Sequence, residues 1–265
     1  EPFCPVDEKG YMTSDAGNEL KGLFYEEASE KVIQMLTQRG DILKLVEITH
    51  SYPHDWRTKK PTIFRATKQW FCSIDKIKDK LLQESDKVSY IPEWGKVRFQ
   101  NMLSNRDDWC ISRQRLWGVP IPIFYGEDEQ PIIEKKIFEH VEEIFRTEGS
   151  DVWYSKEAKD LLPDGYTSTH SPNGKFTKET DIMDVWFDSG SSFLASDINL
   201  NHPFPADIYL EGNDQYRGWY NSSMILSVAY TGHTPFKKII THGFLVDQNG
   251  EKFSKSKQNG IDPVT

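Results

Sequence analysis

The arrangement of apolar residues between positions 207 and 241 constrains the fold more than any other feature of the sequence. A short apolar run over Asp207–Leu210 precedes a predicted helix over Tyr216–Tyr230, and a second apolar run follows at Lys238–Thr241. Strand, helix and strand at this spacing predict a βαβ unit with parallel strands. The sequence therefore indicates an α/β fold with a parallel sheet, in which ligands bind where the strands end.

Helical and alternating periodicities predict further elements around this unit. Predicted helices cover Tyr25–Gln38, which Gly40 ends, residues 74–85 and Ile137–Thr147. Predicted strands cover Ile42–Ile48, residues 62–71 and residues 184–187. Residues 109–125 run from an arginine-rich turn into an apolar segment, which Pro120 and Pro122 restrict to an edge strand or an irregular extended stretch.

Composition and charge exclude several classes of protein. No run of about 18 apolar residues is present, so no transmembrane helix and no membrane partner are predicted. The opening "EPFCPVDEKG" lacks the basic and apolar regions of a signal peptide. Cys4, Cys72 and Cys110 are odd in number and form no Cys-x-x-Cys pair, which argues against a disulfide framework and a zinc knuckle and fits a reducing, cytoplasmic setting. The net charge of −9 argues against a chain-wide nucleic-acid surface, although a local basic patch remains compatible with it.

Polar residues follow directly after the first strand of the βαβ unit. Glu211, Gly212, Asp214 and Gln215 lie between this strand and the helix. A carboxylate here suits ribose hydroxyls or an ammonium group, and Gly212 permits a ligand to approach the backbone closely. The alternative is that Asn213 or Asp214 caps the helix, and both roles are compatible.

Aromatic and basic residues supply further candidates. Trp186 and Trp219 suit either the wall of a hydrophobic pocket or the core. Arginines and lysines near tryptophans suit the end of a nucleic-acid strand, with solvated surface charge as the alternative. These residues are Trp56, Arg57, Lys59, Lys60, Arg113, Arg115 and Trp117.

A lysine-rich loop closes the sequence. The apolar run Phe244–Val246 leads from a buried strand into "GEKFSKS", residues 250–256, where Lys252 and Lys255 alternate with small hydroxyl residues. The segment is not a phosphate-binding P-loop, because the Gly-x-x-x-x-Gly-Lys-Ser/Thr pattern is absent. Lysines on a loop with Gly250 and Gly260 at its ends are suited to closing on a triphosphate and neutralising a departing pyrophosphate.

Four segments together carry a family resemblance. "KFSKS" (252–256) is similar to a Lys-Met-Ser-Lys-Ser signature, with Phe253 at the Met position. The other three segments are "WCISRQRLWGVPIPIFY" (109–125), "DVWFDSGSS" (184–192) and "YLEGNDQYRGWYNSS" (209–223). In content and order they resemble class I aminoacyl-tRNA synthetases of the isoleucyl type, and residues 50–71 are similar to the segment that leaves the editing domain of that family. The valyl and leucyl types share the architecture and remain the alternatives, as does a non-catalytic module that binds adenylates or a tRNA acceptor end.

The resemblance implies a function and a set of site residues. It implies ATP-dependent activation of isoleucine and its transfer to tRNA(Ile), with Mg²⁺ accompanying ATP. Lys255, assisted by Lys252, is expected to hold the phosphates. The adenylate is expected to contact Glu211, Gly212, Asp214, Gln215, Trp186, Trp219, His242 and Gly243, with the two tryptophans on the isoleucine side chain and the last two residues near adenine.

The resemblance also implies a domain organisation. Residues 1–50 are expected to be the end of the editing domain, 51–108 the connection back to the catalytic domain, and 109–180 a catalytic strand with an inserted α/β subdomain. Residues 181–265 are expected to be the second half of a Rossmann-type catalytic domain that ends at the lysine loop. No His-x-Gly-His motif is present. The chain is therefore expected to be a fragment with little activity alone. The protein is also expected to be a monomer.

Overall fold

A computed structural model describes residues 3–55, 57–198, 200–254, 258–261 and 264. The chain divides into two compact units, residues 1–68 and 69–265. Lys255 and Trp56, which the sequence singles out, lie outside the described residues. Within the described part, no helix has the length and apolar character needed to cross a membrane.

The described residues of the first unit form one α-helix. Helix α1 covers Tyr25–Arg39 and ends at Gly40, whose φ of 75° is the left-handed conformation typical of a glycine helix cap. This confirms the predicted helix and its end. The predicted strand over Ile42–Ile48 is wrong: these residues form no strand, and Leu43 is fully exposed. Their apolar periodicity has no sheet to pack against, so local β-propensity alone does not produce a strand.

The second unit contains the remaining helices and strands. Its α-helices are α2 (Lys78–Asp86), α3 (Trp94–Ser104), α4 (Lys135–Glu148), α5 (Val152–Ser155), α6 (Val185–Gly190) and α7 (Trp219–Thr231). Its strands are β1 (Phe71–Cys72), β2 (Ser89–Ile91), β3 (Trp109–Cys110), β4 (Ser112–Arg113), β5 (Phe124–Tyr125), β6 (Pro131–Ile132), β7 (Thr177–Lys178), β8 (Ile182–Met183), β9 (Tyr209–Gly212) and β10 (Lys238–His242).

A three-stranded parallel sheet positions the candidate site. Its order is β2-β10-β9, and β9 and β10 are joined through α7. This confirms the predicted βαβ unit and α/β fold. The first strand lies two residues later than predicted, and α7 begins at Trp219 because residues 213–216 form a 3₁₀ turn.

The sheet and three helices share one hydrophobic core. Helices α2, α3 and α7 contribute the buried side chains of Leu81, Phe99 and Met224, and β10 contributes Ile239. Helix α7 is buried on most of its surface, including Asn221 and several serines. Its first turn is therefore held firmly relative to the strand ends.

A second, smaller core lies under the β5–β7 sheet. Phe124 packs on Trp153, with ring centroids 5.0 Å apart, and α4 adds Ile137 and Val141. The predicted helix over Ile137–Thr147 is confirmed within α4. The segment around Pro120 and Pro122 contains no strand beyond a single bridge, as the irregular alternative predicted.

Two further sequence predictions are wrong. Residues 184–187 belong to the start of α6 and not to a strand, because the Asp184 carboxylate accepts the backbone N–H of Trp186 and caps the helix. Of residues 62–71, only Phe71 enters a strand. The run Phe244–Val246 is exposed and forms no more than an isolated bridge at Val246, because β10 ends at His242.

Candidate functional site

The carboxyl ends of two adjacent strands form the base of the site. Thr241 of β10 pairs with Glu211 of β9, and His242 pairs with Gly212. A methyl group at Gly212 would lie 3.9 Å from Cε1 of His242 and 2.8 Å from the Asp214 carboxylate. The absence of a side chain at Gly212 therefore lets the Asp214 carboxylate lie close to the end of the strand. Four of the predicted residues thus lie at one edge of the sheet.

Gln215 connects this edge to the helix. Its side-chain Oε1 accepts the backbone N–H of Trp219 at 2.8 Å, and its Nε2 lies 3.4 Å from the Asp214 carboxylate. The predicted capping of the helix by Asn213 or Asp214 is wrong, because the N-cap position is Gly218 and Gln215 takes the capping bond. The 3₁₀ turn of residues 213–216 causes this shift. The Asp214 carboxylate is exposed and remains available to a ligand.

The two predicted tryptophans occupy different environments. Trp186 is 41% exposed, and its ring lies over the backbone of Gly218, where a Cβ would meet Cη2 at 2.9 Å. Trp219 stacks on Tyr209 with centroids 4.1 Å apart and donates Nε1–H to the Ser189 carbonyl at 3.0 Å. Trp186 therefore offers an aromatic face beside the helix start. Trp219 is packed against the core and ties α6 to α7.

A buried carboxylate caps the helix that carries Trp186. Asp184 is 4% exposed, and its Oδ2 accepts from Trp109 Nε1 at 3.0 Å and pairs with Arg113 Nη2 at 2.9 Å. Its Oδ1 caps α6. Burial and the charge of Asp184 together raise the pKa of the neighbouring Asp188 to about 6. The start of α6 is therefore fixed by charge-assisted hydrogen bonds.

The lysine loop is closed at its base by Asp247 and Asn259. Asp247 Oδ1 accepts the backbone N–H groups of Asn249 and Glu251, both at 2.9 Å, and Oδ2 accepts Asn259 Nδ2–H at 2.8 Å. Asn259 Oδ1 accepts the Ser254 N–H at 2.9 Å. The hydrogen bond from Asn259 is the main cause that lowers the pKa of Asp247.

The side chain of Lys252 contacts the segment that follows β10. Its Nζ lies 3.5 Å from the ring centroid of Phe244, a cation–π contact. Phe244 follows His242 by two residues, and two residues span at most about 7 Å. The ammonium group of Lys252 is thereby held over a ring that adjoins the His242 end of the sheet. The space where a Cβ would project from Gly243 holds no atom of the described residues within 4 Å, so a ligand can approach this position.

Sequence reasoning misses three residues that shape the site: Asp184, Asp247 and Asn259. The sequence prediction places Asp184 in a strand, although an Asp followed by a helix-length segment is a standard N-cap signal. Asp247 and Asn259 lie 12 positions apart in the sequence, and no local pattern indicates such a pair. Among the residues that the structure describes, no group of three or more His, Cys, Asp or Glu side chains is arranged to bind a metal ion.

Comparison with known proteins identifies the family of the chain. Residues 19–265 match the family described as tRNA synthetases class I (I, L, M and V). The chain is 59% identical over 264 residues to isoleucine–tRNA ligase 1 of Oceanobacillus iheyensis, which covers 99% of this chain and 29% of that protein. It is 59% identical over 263 residues to the isoleucine–tRNA ligase of Geobacillus thermodenitrificans, at 99% and 28% coverage. The chain thus spans less than a third of the length of these relatives.

A solved structure shows a weaker similarity. The ternary complex of Agrobacterium radiobacter K84 agnB2 LeuRS with tRNA and LeuAMS is 24% identical, with a TM-score of 0.42, covering 60% of this chain and 22% of that one. This similarity is too low to bear on the fold. The family match extends over most of the chain and includes the whole parallel sheet, both tryptophans and the lysine loop. The chain belongs to the class I tRNA synthetases of the I, L, M and V group.

Proposed function

We propose that this chain is the part of an isoleucine–tRNA ligase that holds isoleucine and ATP during activation. The observation that carries the proposal is 59% identity to isoleucine–tRNA ligases over 99% of the chain. The site geometry supports it, because an aromatic face, exposed carboxylates and an ammonium group adjoin the ends of two parallel strands. Ligands of open α/β sheets bind at such ends.

The proposed reaction has two steps. An isoleucine carboxylate oxygen attacks the α-phosphorus of ATP, the bond from that phosphorus to the bridging oxygen breaks, and pyrophosphate leaves. A ribose hydroxyl at the 3′ end of tRNA(Ile) then attacks the carbonyl of isoleucyl-adenylate, and AMP leaves. The magnesium ion enters as part of the ATP substrate and balances the phosphate charge.

Residues at the strand ends are proposed to orient the adenylate. Glu211 and Asp214 accept hydrogen bonds from ribose hydroxyls or from the ammonium group of isoleucine, and Gly212 permits close approach. His242 and Gly243 lie at the end of β10, where adenine is proposed to bind. Gln215, which also orders the first turn of α7, is proposed to contact the acyl portion.

The side chain of isoleucine is proposed to pack on tryptophan. The half-exposed ring of Trp186 supplies the contact surface. Trp219, as the sequence suggests, completes the pocket from the core side, and its stacking on Tyr209 fixes that wall. Such packing distinguishes isoleucine from valine by one methylene, about 10–200-fold, a range for which this family is itself the standard example.

The lysines are proposed to stabilise charge on the departing pyrophosphate. Lys255, assisted by Lys252, supplies long, flexible side chains whose ammonium groups act as point charges, unlike the fixed planar fork of an arginine.

The family also supports a proposal for the organisation of the chain. Residues 1–50 are proposed to come from an editing domain, 51–108 to lead back to the catalytic domain, 109–180 to hold an inserted subdomain and 181–265 to form the second Rossmann half. We further propose that the enzyme is cytoplasmic and monomeric.

The test is ATP–pyrophosphate exchange by the full-length protein with isoleucine, valine or leucine. We expect isoleucine to support the fastest exchange. We expect Lys252→Ala to lower kcat about 10-fold or more, because one transition-state cation is lost. The matched control is Lys237→Ala, whose ammonium pairs with Asp207 away from the loop.

Three results would contradict the proposal. They are faster exchange with leucine or valine, no exchange by the full-length protein with any of the three amino acids, and full-rate exchange by the 265-residue chain alone. The last result would mean that the residues here suffice for ATP binding, contrary to the proposed role as one part of a larger site.

A further inference from the structure

Helices α6 and α7 approach each other closely at two glycines. A Cβ at Gly190, on α6, would lie 2.9 Å from the carbonyl carbon and from Cβ of Ser222 on α7. A Cβ at Gly218, the N-cap of α7, would lie 2.9 Å from Cη2 and 3.1 Å from Cζ3 of Trp186 on α6. Carbon atoms in ordinary contact are about 3.5–4.0 Å apart. Neither glycine can therefore take a side chain unless a neighbouring group moves.

The group that would have to move differs between the two glycines. At Gly190 it includes the backbone of α7, which is buried on most of its surface. At Gly218 it consists of two side chains: the outer edge of the Trp186 ring, and Gln215 Oε1 at 2.5 Å. The Trp186 ring is 41% exposed, and Oε1 is at the end of a flexible side chain, so both can move. A methyl group at Gly218 would therefore displace the ring by about 1 Å while the buried helix stays in place.

Helix α6 is anchored independently of this contact. Asp184 Oδ1 accepts the backbone N–H of Trp186 at 3.3 Å, and Trp219 Nε1–H donates to the Ser189 carbonyl at 3.0 Å. These hydrogen bonds hold the backbone of α6 at its start and near its end. A displacement of the ring therefore changes the side-chain torsions of Trp186 and not the course of α6.

The position of this ring matters because Trp186 is the proposed contact surface for the isoleucine side chain. We propose that Gly218 is a positioning residue for amino-acid specificity. Because Gly218 has no Cβ, the outer edge of the Trp186 ring packs against the first turn of α7, and this contact sets the position of the pocket wall. The inference rests on the proposed function, which supplies the isoleucine side chain as the ligand.

A displaced ring lowers the preference for isoleucine over valine whichever way it moves. Movement toward the bound amino acid leaves less room for the larger side chain. Movement away from it removes packing against the methylene that only isoleucine has, a group worth about 10–200-fold in a hydrophobic pocket. Valine loses less in both cases, so the ratio of the two kcat/KM values falls.

The test is ATP–pyrophosphate exchange by the full-length protein with isoleucine and with valine. Gly218→Ala should raise KM for isoleucine about 10-fold or more and change kcat less than about 3-fold, because packing on the ring is lost in the ground state and the transition state alike. The isoleucine-to-valine ratio of kcat/KM should fall about 5-fold or more. Ala229→Ser, which adds one atom at an exposed position of the same helix, is the matched control and should change none of these quantities.

A second variant separates the ring contact from any effect of alanine on the start of α7. Phenylalanine lacks the outer ring atoms Cη2 and Cζ3, so in Trp186→Phe the methyl group of Gly218→Ala no longer meets the ring. Adding Gly218→Ala to Trp186→Phe should therefore change KM for isoleucine less than about 2-fold, which makes the two substitutions strongly non-additive.

Two outcomes would overturn the inference. In one, Gly218→Ala keeps the wild-type ratio of isoleucine to valine. In the other, Gly218→Ala is as damaging in the Trp186→Phe background as in the wild type, whether by loss of binding or by loss of folding in urea, which would assign its effect to the start of α7. A wild-type protein that shows no exchange with isoleucine would instead contradict the proposed function.

Discussion

Asp188 is the site-adjacent carboxylate whose protonation depends most on folding. Burial and the neighbouring Asp184 raise the pKa of Asp188 to about 6, whereas an unfolded aspartate titrates near about 4. The folded state therefore binds this proton more tightly than the unfolded state does. As pH rises from about 4 through about 6, ionisation of Asp188 therefore lowers the free energy of unfolding.

Asp188→Asn should therefore stabilise the protein at pH 8 and have little effect at pH 4. We expect a gain of about 1 kcal/mol at pH 8, after allowance for solvent screening of a partly exposed group. Urea unfolding at the two pH values is the measurement. Asp207→Asn is a control of opposite sign, because Lys237 lowers the pKa of Asp207 and its neutralisation should not stabilise at pH 8. A gain for Asp188→Asn that persists unchanged at pH 4 would contradict this account.

Residue-level prediction from the sequence succeeds where geometry follows from strand ends. Glu211 and Gly212 are predicted because ligands bind at the ends of parallel strands, and His242 is expected from the family resemblance. The register brings Gly212 and His242 into the same pair. Prediction fails for the helix cap, because a 3₁₀ turn moves the helix start to Trp219 and gives the capping bond to Gln215. The environments of Trp186 and Trp219 depend on tertiary contacts, which the local sequence pattern does not specify.

At the scale of elements, the lysine loop depends on a pair of side chains at its base. Asp247 and Asn259 bond to each other and to the backbone N–H groups of Asn249, Glu251 and Ser254. Asn259 Nδ2 also lies 3.3 Å from the Lys252 carbonyl. The backbone on both sides of Phe253 is thereby fixed, and we infer that the pair positions Lys252.

Asn259→Ala should lower kcat for ATP–pyrophosphate exchange about 5- to 20-fold with a smaller change in KM for isoleucine, because the lysines are less well placed in the transition state. Asp247→Asn should act in the same direction, and the double variant should lose less than the product of the single losses. Asn249→Ala is the matched control, since only the backbone N–H of Asn249 joins the network. Equal losses in the control variant, or fully multiplicative losses in the double variant, would refute the positioning role.

Element types are predictable where periodicity is long and burial one-sided. Helices α1 and α4 are predicted correctly for this reason, whereas the βαβ unit is predicted from the order and spacing of its apolar runs. Short segments are not: residues 184–187 resemble a strand in sequence, but the side-chain cap of Asp184 turns them into α6. Four residues carry too little periodicity to separate helix from strand.

At the scale of the molecule, the parallel sheet has open edges. Within the described residues, β9 pairs only with β10, and Ile208 and Leu210 beside that edge are about half exposed. An unpaired strand with apolar neighbours is a template for association with another chain.

The 265-residue chain alone should therefore self-associate as its concentration rises. Leu210→Lys, which places a charge on the edge strand, should lower the apparent mass in light scattering measured over a concentration series. Leu43→Lys, at a fully exposed position in the first unit, is the matched control and should have a smaller effect. A chain that stays monomeric at high concentration, or a control variant that dissociates equally, would show that this edge does not drive association.

The carboxylate of Asp184 belongs to two neighbourhoods at once. One oxygen starts the helix that carries Trp186, and the other holds Arg113 at the wall of a cavity that lies between α3 and the start of α7. Any ligand that draws Arg113 away alters the anchoring of that helix, and any ligand that tightens the helix alters the hold on Arg113. Thermodynamic linkage makes such influence mutual and equal in free energy, so occupancy beside Arg113 and occupancy beside Trp186 would each report on the other.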